Sequence, residues 1–152
     1  MSPSNLEILA YETTPLGDLC LRRRELLSSP GTVITEITLD HELLMSSYVT
    51  VSERALADEA LARHPGHELS VLVGGLGLGY TADRVLQSDR VARVEVIELL
   101  PEVVGFVRRG LVPLSQELLA ELQFIQPLQV LMIFPGRHFI LLTPHLQLLQ
   151  QI

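Results

Sequence analysis

The sequence predicts an α/β protein in which a small β-rich N-terminal domain, residues 1–50, precedes a parallel sheet with helices. Three observations lead there. The first fifty residues read as strands, the one over 33–39 alternating and rich in β-branched residues; strand and helix patterns then alternate; and a glycine-rich turn joins one of those strands to a helix. With 152 residues, 47% of them hydrophobic and 19% charged, the chain suits one compact unit burying roughly 68–70% of its unfolded surface. So apolar a composition argues against disorder.

The elements follow in order. Residues 6–11, the turn signal Pro15-Leu16-Gly17-Asp18 and Leu19-Cys20-Leu21 read as a hairpin. Residues 33–39 place Val33, Thr35, Ile37 and Leu39 on one face, the alternation of a half-buried strand. Asp40-His41-Glu42 turns the chain into a short strand over 43–45. The period then changes. Thr50 with Glu53 three residues on is a capping-box signature, with Ser52 as an alternative cap, and Leu56, Ala60 and Leu61 form an apolar stripe. Glu59 can pair with Arg63 one turn later. Pro65-Gly66 ends this helix, and Val71-Leu72-Val73 is short and apolar enough for a fully buried strand. A helix over 81–87, a strand over 94–98 and a helix opened by Pro101 and running to about Arg109 complete a β-α-β-α order. Ser115 could cap a last helix through Leu122. Residues 51–121 thus read as half of a Rossmann-like nucleoside-binding domain.

The stretch richest in chemistry is Val71-Leu72-Val73-Gly74-Gly75-Leu76-Gly77-Leu78-Gly79-Tyr80-Thr81-Ala82. Glycines at 75, 77 and 79 let a backbone turn sharply and approach a ligand, beside a helix N-terminus that favours negative or polar groups. Nineteen residues beyond Gly79, Glu98 ends the next strand, where nucleotide-binding α/β folds use an acid to accept hydrogen bonds from ribose hydroxyls. Glu95, inside the strand, is the weaker candidate. A dinucleotide fingerprint counted from Gly75 would need a third glycine at Tyr80, which disfavours a nicotinamide site. The observed G-x-G-x-G is the form of S-adenosylmethionine-type sites. The competing reading is a tight strand–helix turn with a surface glutamate.

These residues, with Val94-Glu95-Val96-Ile97-Glu98-Leu99-Leu100-Pro101-Glu102-Val103-Val104, resemble the spermidine synthase (polyamine aminopropyltransferase) family, whose fold is that of class I S-adenosylmethionine-dependent methyltransferases. Leu43-Leu44-Met45-Ser46-Ser47 and Ser52-Glu53-Arg54-Ala55-Leu56 resemble the segment joining that family's N-terminal β-domain to its nucleotide domain. The resemblance covers roughly residues 16–121. It implies that Gly75, Gly77, Gly79 and Glu98 hold S-adenosylmethionine, its decarboxylated form or methylthioadenosine. It further implies a polyamine acceptor, and a homodimer formed through the N-terminal domain. The family usually carries Asp between the last two glycines, where this chain has Leu78, and an Asp-Glu start with a Tyr-His pair in the linker helix. Its adenine-contacting and catalytic Asp residues follow later strands, whereas no Asp occurs here after Asp89. Aminopropyl transfer needs a carboxylate to take the amine's proton, so no residue of this chain is expected to be catalytic. A non-catalytic dimerisation module of the same fold is the alternative.

Charge narrows the rest. The eleven basic residues are all arginine against eighteen acids, net −7, which disfavours a general grip on nucleic acid. Residues 122–152 are an apolar tail with Arg137 as their one charged residue. Pro127, Pro135 and Pro144 interrupt it, so a membrane span is not expected; strands are expected over 130–134 and 139–142. A diverged, frameshifted or truncated C-terminal part would look like this tail. Residues 1–10 carry Glu7 and no basic start, unlike a secretory leader, and the lone Cys20, expected to pack as a small hydrophobe, fits a reducing, cytoplasmic setting. His64 and His67 flank a turn without a third ligand, so a solvated loop is expected and no metal. Arg22-Arg23-Arg24 reads as a solvated edge strand.

Overall fold

The computed structural model describes residues 5–114, 120–125 and 140–142. Its first half is an antiparallel sheet in the order β1 (Leu6–Thr14), β2 (Gly17–Glu25), β3 (Val33–Leu39), β4 (Glu42–Ser46). The expected hairpin is present, with Thr14 opposite Gly17 across a two-residue turn. Gly17 has φ 128°, and the Asp40 carboxylate lies where a Cβ would be, so a side chain has no room. That carboxylate accepts the Asp18 N–H at 2.7 Å, tying the first hairpin to the second. Asp40 and His41 both take positive φ, 46° and 71°, the tight turn whose twist suits a two-residue hairpin.

Two expectations for this sheet are corrected. The arginine run lies on β2, which pairs with β1 on one side and β3 on the other, so it is central and not an edge. Strand β3 is not half-buried: Ile34 through Thr38 are buried on both faces. Register explains both, since Arg22 stands directly opposite Glu36. The Glu36 carboxylate, 2% exposed as a residue, accepts from Arg22 Nε at 2.9 Å, Arg24 Nε at 2.9 Å and Arg24 Nη2 at 2.7 Å. Two cations around one acid satisfy its oxygens and let a polar strand centre be buried.

Thr50 precedes helix α1 (Val51–Arg63), as expected, but makes no side-chain cap; Ser52 Oγ instead donates to Glu53 Oε2 at 2.8 Å. The buried stripe of α1 is Ala57 and Leu61, with Leu56 and Ala60 partly covered. Glu59 and Arg63 do pair, at 3.4 Å in solvent. Arg90 donates to the Leu61 and His64 carbonyls, closing the helix's C-terminal end. His64 and His67 lie in an exposed loop, and Cys20 is buried and free.

The second sheet is built by β5 (Leu69–Gly74), β6 (Val91–Ile97), β7 (Gln123–Ile125) and β8 (Ile140–Leu142), all parallel, in the order β7-β6-β5-β8. Helices α2 (Tyr80–Leu86) and α3 (Pro101–Arg108) follow β5 and β6. Proline stands at the start of α3, and Gly110 (φ 70°) ends it with Gly110 N–H to Val107 O and Leu111 N–H to Phe106 O, both 3.0 Å, a Schellman arrangement. The tail therefore supplies two strands of the sheet. Strand β7 was not anticipated, β8 matches the expected strand over 139–142, and the expected helix after Ser115 and strand over 130–134 lie largely or wholly outside the described residues. One apolar core joins Leu21, Ile37 and Met45 of the first sheet to Val73, Val96 and Phe106 of the second half.

The ion-paired acid makes a stability prediction. Glu36→Ala leaves two arginines, about a third exposed, without their partner, and should cost about 2 kcal/mol in urea unfolding, less than a fully buried pair would. Hydrogen bonds from Arg24, then Arg22, hold the Glu36 carboxyl below the ordinary glutamate range against the opposing effect of burial. Its contribution is therefore full above the ordinary pKa and lost as pH falls through the lowered value. Wild type should lose more stability than the variant as pH falls from neutral through the lowered range of this carboxyl.

Candidate functional site

Strands β5 and β6 end side by side, with Gly74 opposite Ile97. Gly75 N–H donates to the Ile97 carbonyl at 2.7 Å, extending the pairing by one bond before the chain turns away. Gly75, Gly77 and Gly79 have φ of 87°, 53° and 91°, so all three positions of the sequence triplet are left-handed. Between them Leu76 and Leu78 are buried, and Gly79 N–H closes a turn on Leu76 O at 2.8 Å. Apolar anchors thus pin a backbone that only glycine follows without strain.

Glu98 directly follows β6, which ends one residue earlier than the sequence suggests, and its carboxylate is not idle. Oε2 accepts the Leu76 N–H at 2.7 Å and Oε1 accepts the Leu100 N–H at 2.9 Å. The acid bridges the glycine loop and the turn into α3, from a half-buried position. A carboxylate has about four lone-pair sites, so each oxygen keeps capacity for one further donor. Glu95 is buried and bound by Arg93 at 2.6 Å, which removes it as a rival. Helix α2 offers little to an anion: it has seven residues, and Asp83 already stands in its first turn.

The first sheet and α1 close on the far side of the loop. A Cβ on Gly77 would come within 3.3 Å of the Met45 sulfur, whereas one on Gly75 would meet nothing within 4 Å. Arg54 of α1 lies 5.3 Å over the Tyr80 ring and 3.4 Å from Asp83, and Thr81 Oγ1 donates to the Glu53 carbonyl at 3.2 Å. Burial pushes the Tyr80 phenol up, with Arg54 and Ser47 pulling the other way. Sequence reasoning singled out none of Met45, Arg54, Tyr80 or Asp83 as part of the site, because Arg54 and Asp83 are 29 residues apart and no short motif links them.

Order in the sheet completes the geometry. Counted along the chain, the four parallel strands lie third, second, first, fourth. The direction of succession reverses between β5 and β8, and in such sheets ligands bind beyond the strand C-termini at that reversal. The glycine loop leaves β5 there. Solved structures share this architecture: a spermidine synthase in complex with the transition-state analogue AdoDATO and the spermidine synthase from Thermotoga maritima each match at TM-score 0.69 and 16% identity, over 90% of this chain. The fold is spermidine synthase-like. The chain spans 45% and 47% of the lengths of those two structures. No family model and no curated protein sequence matches. Among the described residues, no group of three or more His, Cys, Asp or Glu side chains could hold a metal ion, and no helix is long and apolar enough to cross a membrane.

The two glycines separate backbone from contact. Gly75→Ala should cost about 1–2 kcal/mol, the left-handed penalty alone. Gly77→Ala should cost more, because the new methyl also meets Met45. Repeating both in a Met45→Ala background should narrow the gap, as read from urea midpoints.

Proposed function

We propose that this chain binds a nucleoside of the S-adenosylmethionine type (S-adenosylmethionine, its decarboxylated form or methylthioadenosine) at the loop of Gly75, Gly77 and Gly79, with Glu98 accepting ribose hydroxyls. The observation that carries the proposal is the coincidence of three left-handed glycines, a carboxylate with spare lone pairs and the reversal of strand order at one point. The spermidine synthase complex with AdoDATO supports the ligand class by analogy of fold. Leu78, at the position where that family usually carries an acid, is fully buried. Because no Asp follows Asp89 to take an amine's proton, binding alone is assigned to this site.

Isothermal titration with the three nucleosides tests this. At least one should bind wild type, and Glu98→Ala should weaken it by about tenfold or more, the worth of a charge-assisted hydrogen bond. No heat with any of the three would overturn the proposal.

A second reading, pairing of two copies through residues 1–50, draws on the uncovered face of the first sheet. Leu6, Ile8, Tyr11 and Leu43 are each 45–56% exposed, and the first three stand opposite Arg24, Arg22 and Cys20 on the side away from the core. Sedimentation at increasing concentration should then show a dimer that Ile8→Arg weakens; a monomer throughout sinks this reading.

A further inference from the structure

Three residues from outside the second sheet, Met45, Arg54 and Glu53, hold the glycine loop and the start of α2. Met45 of β4 covers Gly77. Arg54 near the start of α1 covers Tyr80 and reaches Asp83. The Thr81 hydroxyl donates a hydrogen bond to the Glu53 carbonyl. Tyr80 is the residue directly after left-handed Gly79, and the Asp83 N–H donates back to the Gly79 carbonyl at 2.8 Å. Both groups under Arg54 are therefore one covalent step or one hydrogen bond from the third glycine. Tyr80 and Asp83 are 8% exposed, while the Arg54 side chain keeps 39% of its surface in solvent. The cation thus works as a cap, drawn by a ring face and a carboxylate that water barely reaches.

We propose that Arg54 is a positioning residue for the glycine loop: it holds Tyr80 and Asp83, and through them left-handed Gly79 and the loop before it, in the course a nucleoside would meet. This inference rests on the nucleoside reading for its ligand but not for its mechanics. Without the cap, the Gly79 N–H to Leu76 O turn and the Leu76 N–H to Glu98 bond lose the brace at one end and open more often, so a ligand must first order the loop.

Amide hydrogen exchange on the ligand-free protein, paired with methylthioadenosine titration, separates the two layers. Arg54→Ala should speed exchange at Leu76 and Gly79 by about tenfold, the size of a partly exposed cation–π contact together with its ion pair, while β3 amides stay unchanged. Asp83→Asn, which keeps shape and removes charge, should move the same amides in the same direction. Arg54→Lys, which restores a cation, should return exchange and affinity most of the way to wild type. Nucleoside affinity should fall in step with the exchange at these amides. Unchanged exchange in both Arg54→Ala and Asp83→Asn overturns the proposal, as does acceleration spread evenly over the whole chain. Local acceleration in a protein that binds no nucleoside upholds the brace and overturns the nucleoside reading alone.

Discussion

The carboxylate of Glu98 between two backbone amides is the interaction around which this molecule is organised. Between Gly75, which still pairs with the sheet, and Gly79, which opens α2, the loop leaves both regular ladders, yet its N–H groups still need partners. Glu98 answers one of them at Leu76, and it also accepts the Leu100 N–H in the turn into α3. Because the same side chain stands just after β6, the geometry of the parallel sheet is transmitted directly to the loop. The loop's curvature then sets where α2 begins, and α2 sets what α1 can pack against.

The N-terminal sheet solves a different problem. Its third strand buries a glutamate, and a buried charge is tolerable only where its hydrogen-bonding capacity is met. Arg22 and Arg24, two residues apart on β2, point to one face and close on Glu36 together. Arg23, on the other face, reaches Glu7 at 3.5 Å in solvent. The same sheet also delivers Met45 to Gly77, and Ser47, just past β4, meets Tyr80 of α2, so the two halves of the chain share one core and one site margin.

Much of this could be read along the chain. The strand over 33–39, the turn at Asp40-His41, the helix opened by Pro101 and the order of strand, glycine triplet, helix, strand and terminal glutamate all rest on local rules. Side-chain period, the φ range of glycine and proline, and strand length operate within a few residues of one another. Other features resisted for equally definite reasons. Three consecutive arginines look solvated until the neighbouring strand places an acid against two of them. A capping-box pattern at Thr50 and Glu53 goes unused because Ser52 takes the Glu53 carboxylate. Three apolar-rich residues at 123–125 are too few to show a period.

The amino-acid order alone therefore specified the local elements and the chemistry that could be brought to the ends of β5 and β6: glycines for a left-handed course, a carboxylate at a strand end, and apolar anchors between. Which strands became neighbours, and so which charges were buried, came only with assembly. The placing of β8 beside β5, the burial of Glu36 and the reach of Arg54 to Asp83 join residues far apart in the chain. Such pairings are selected by packing and charge satisfaction across the whole fold, and no spacing within the sequence encodes them.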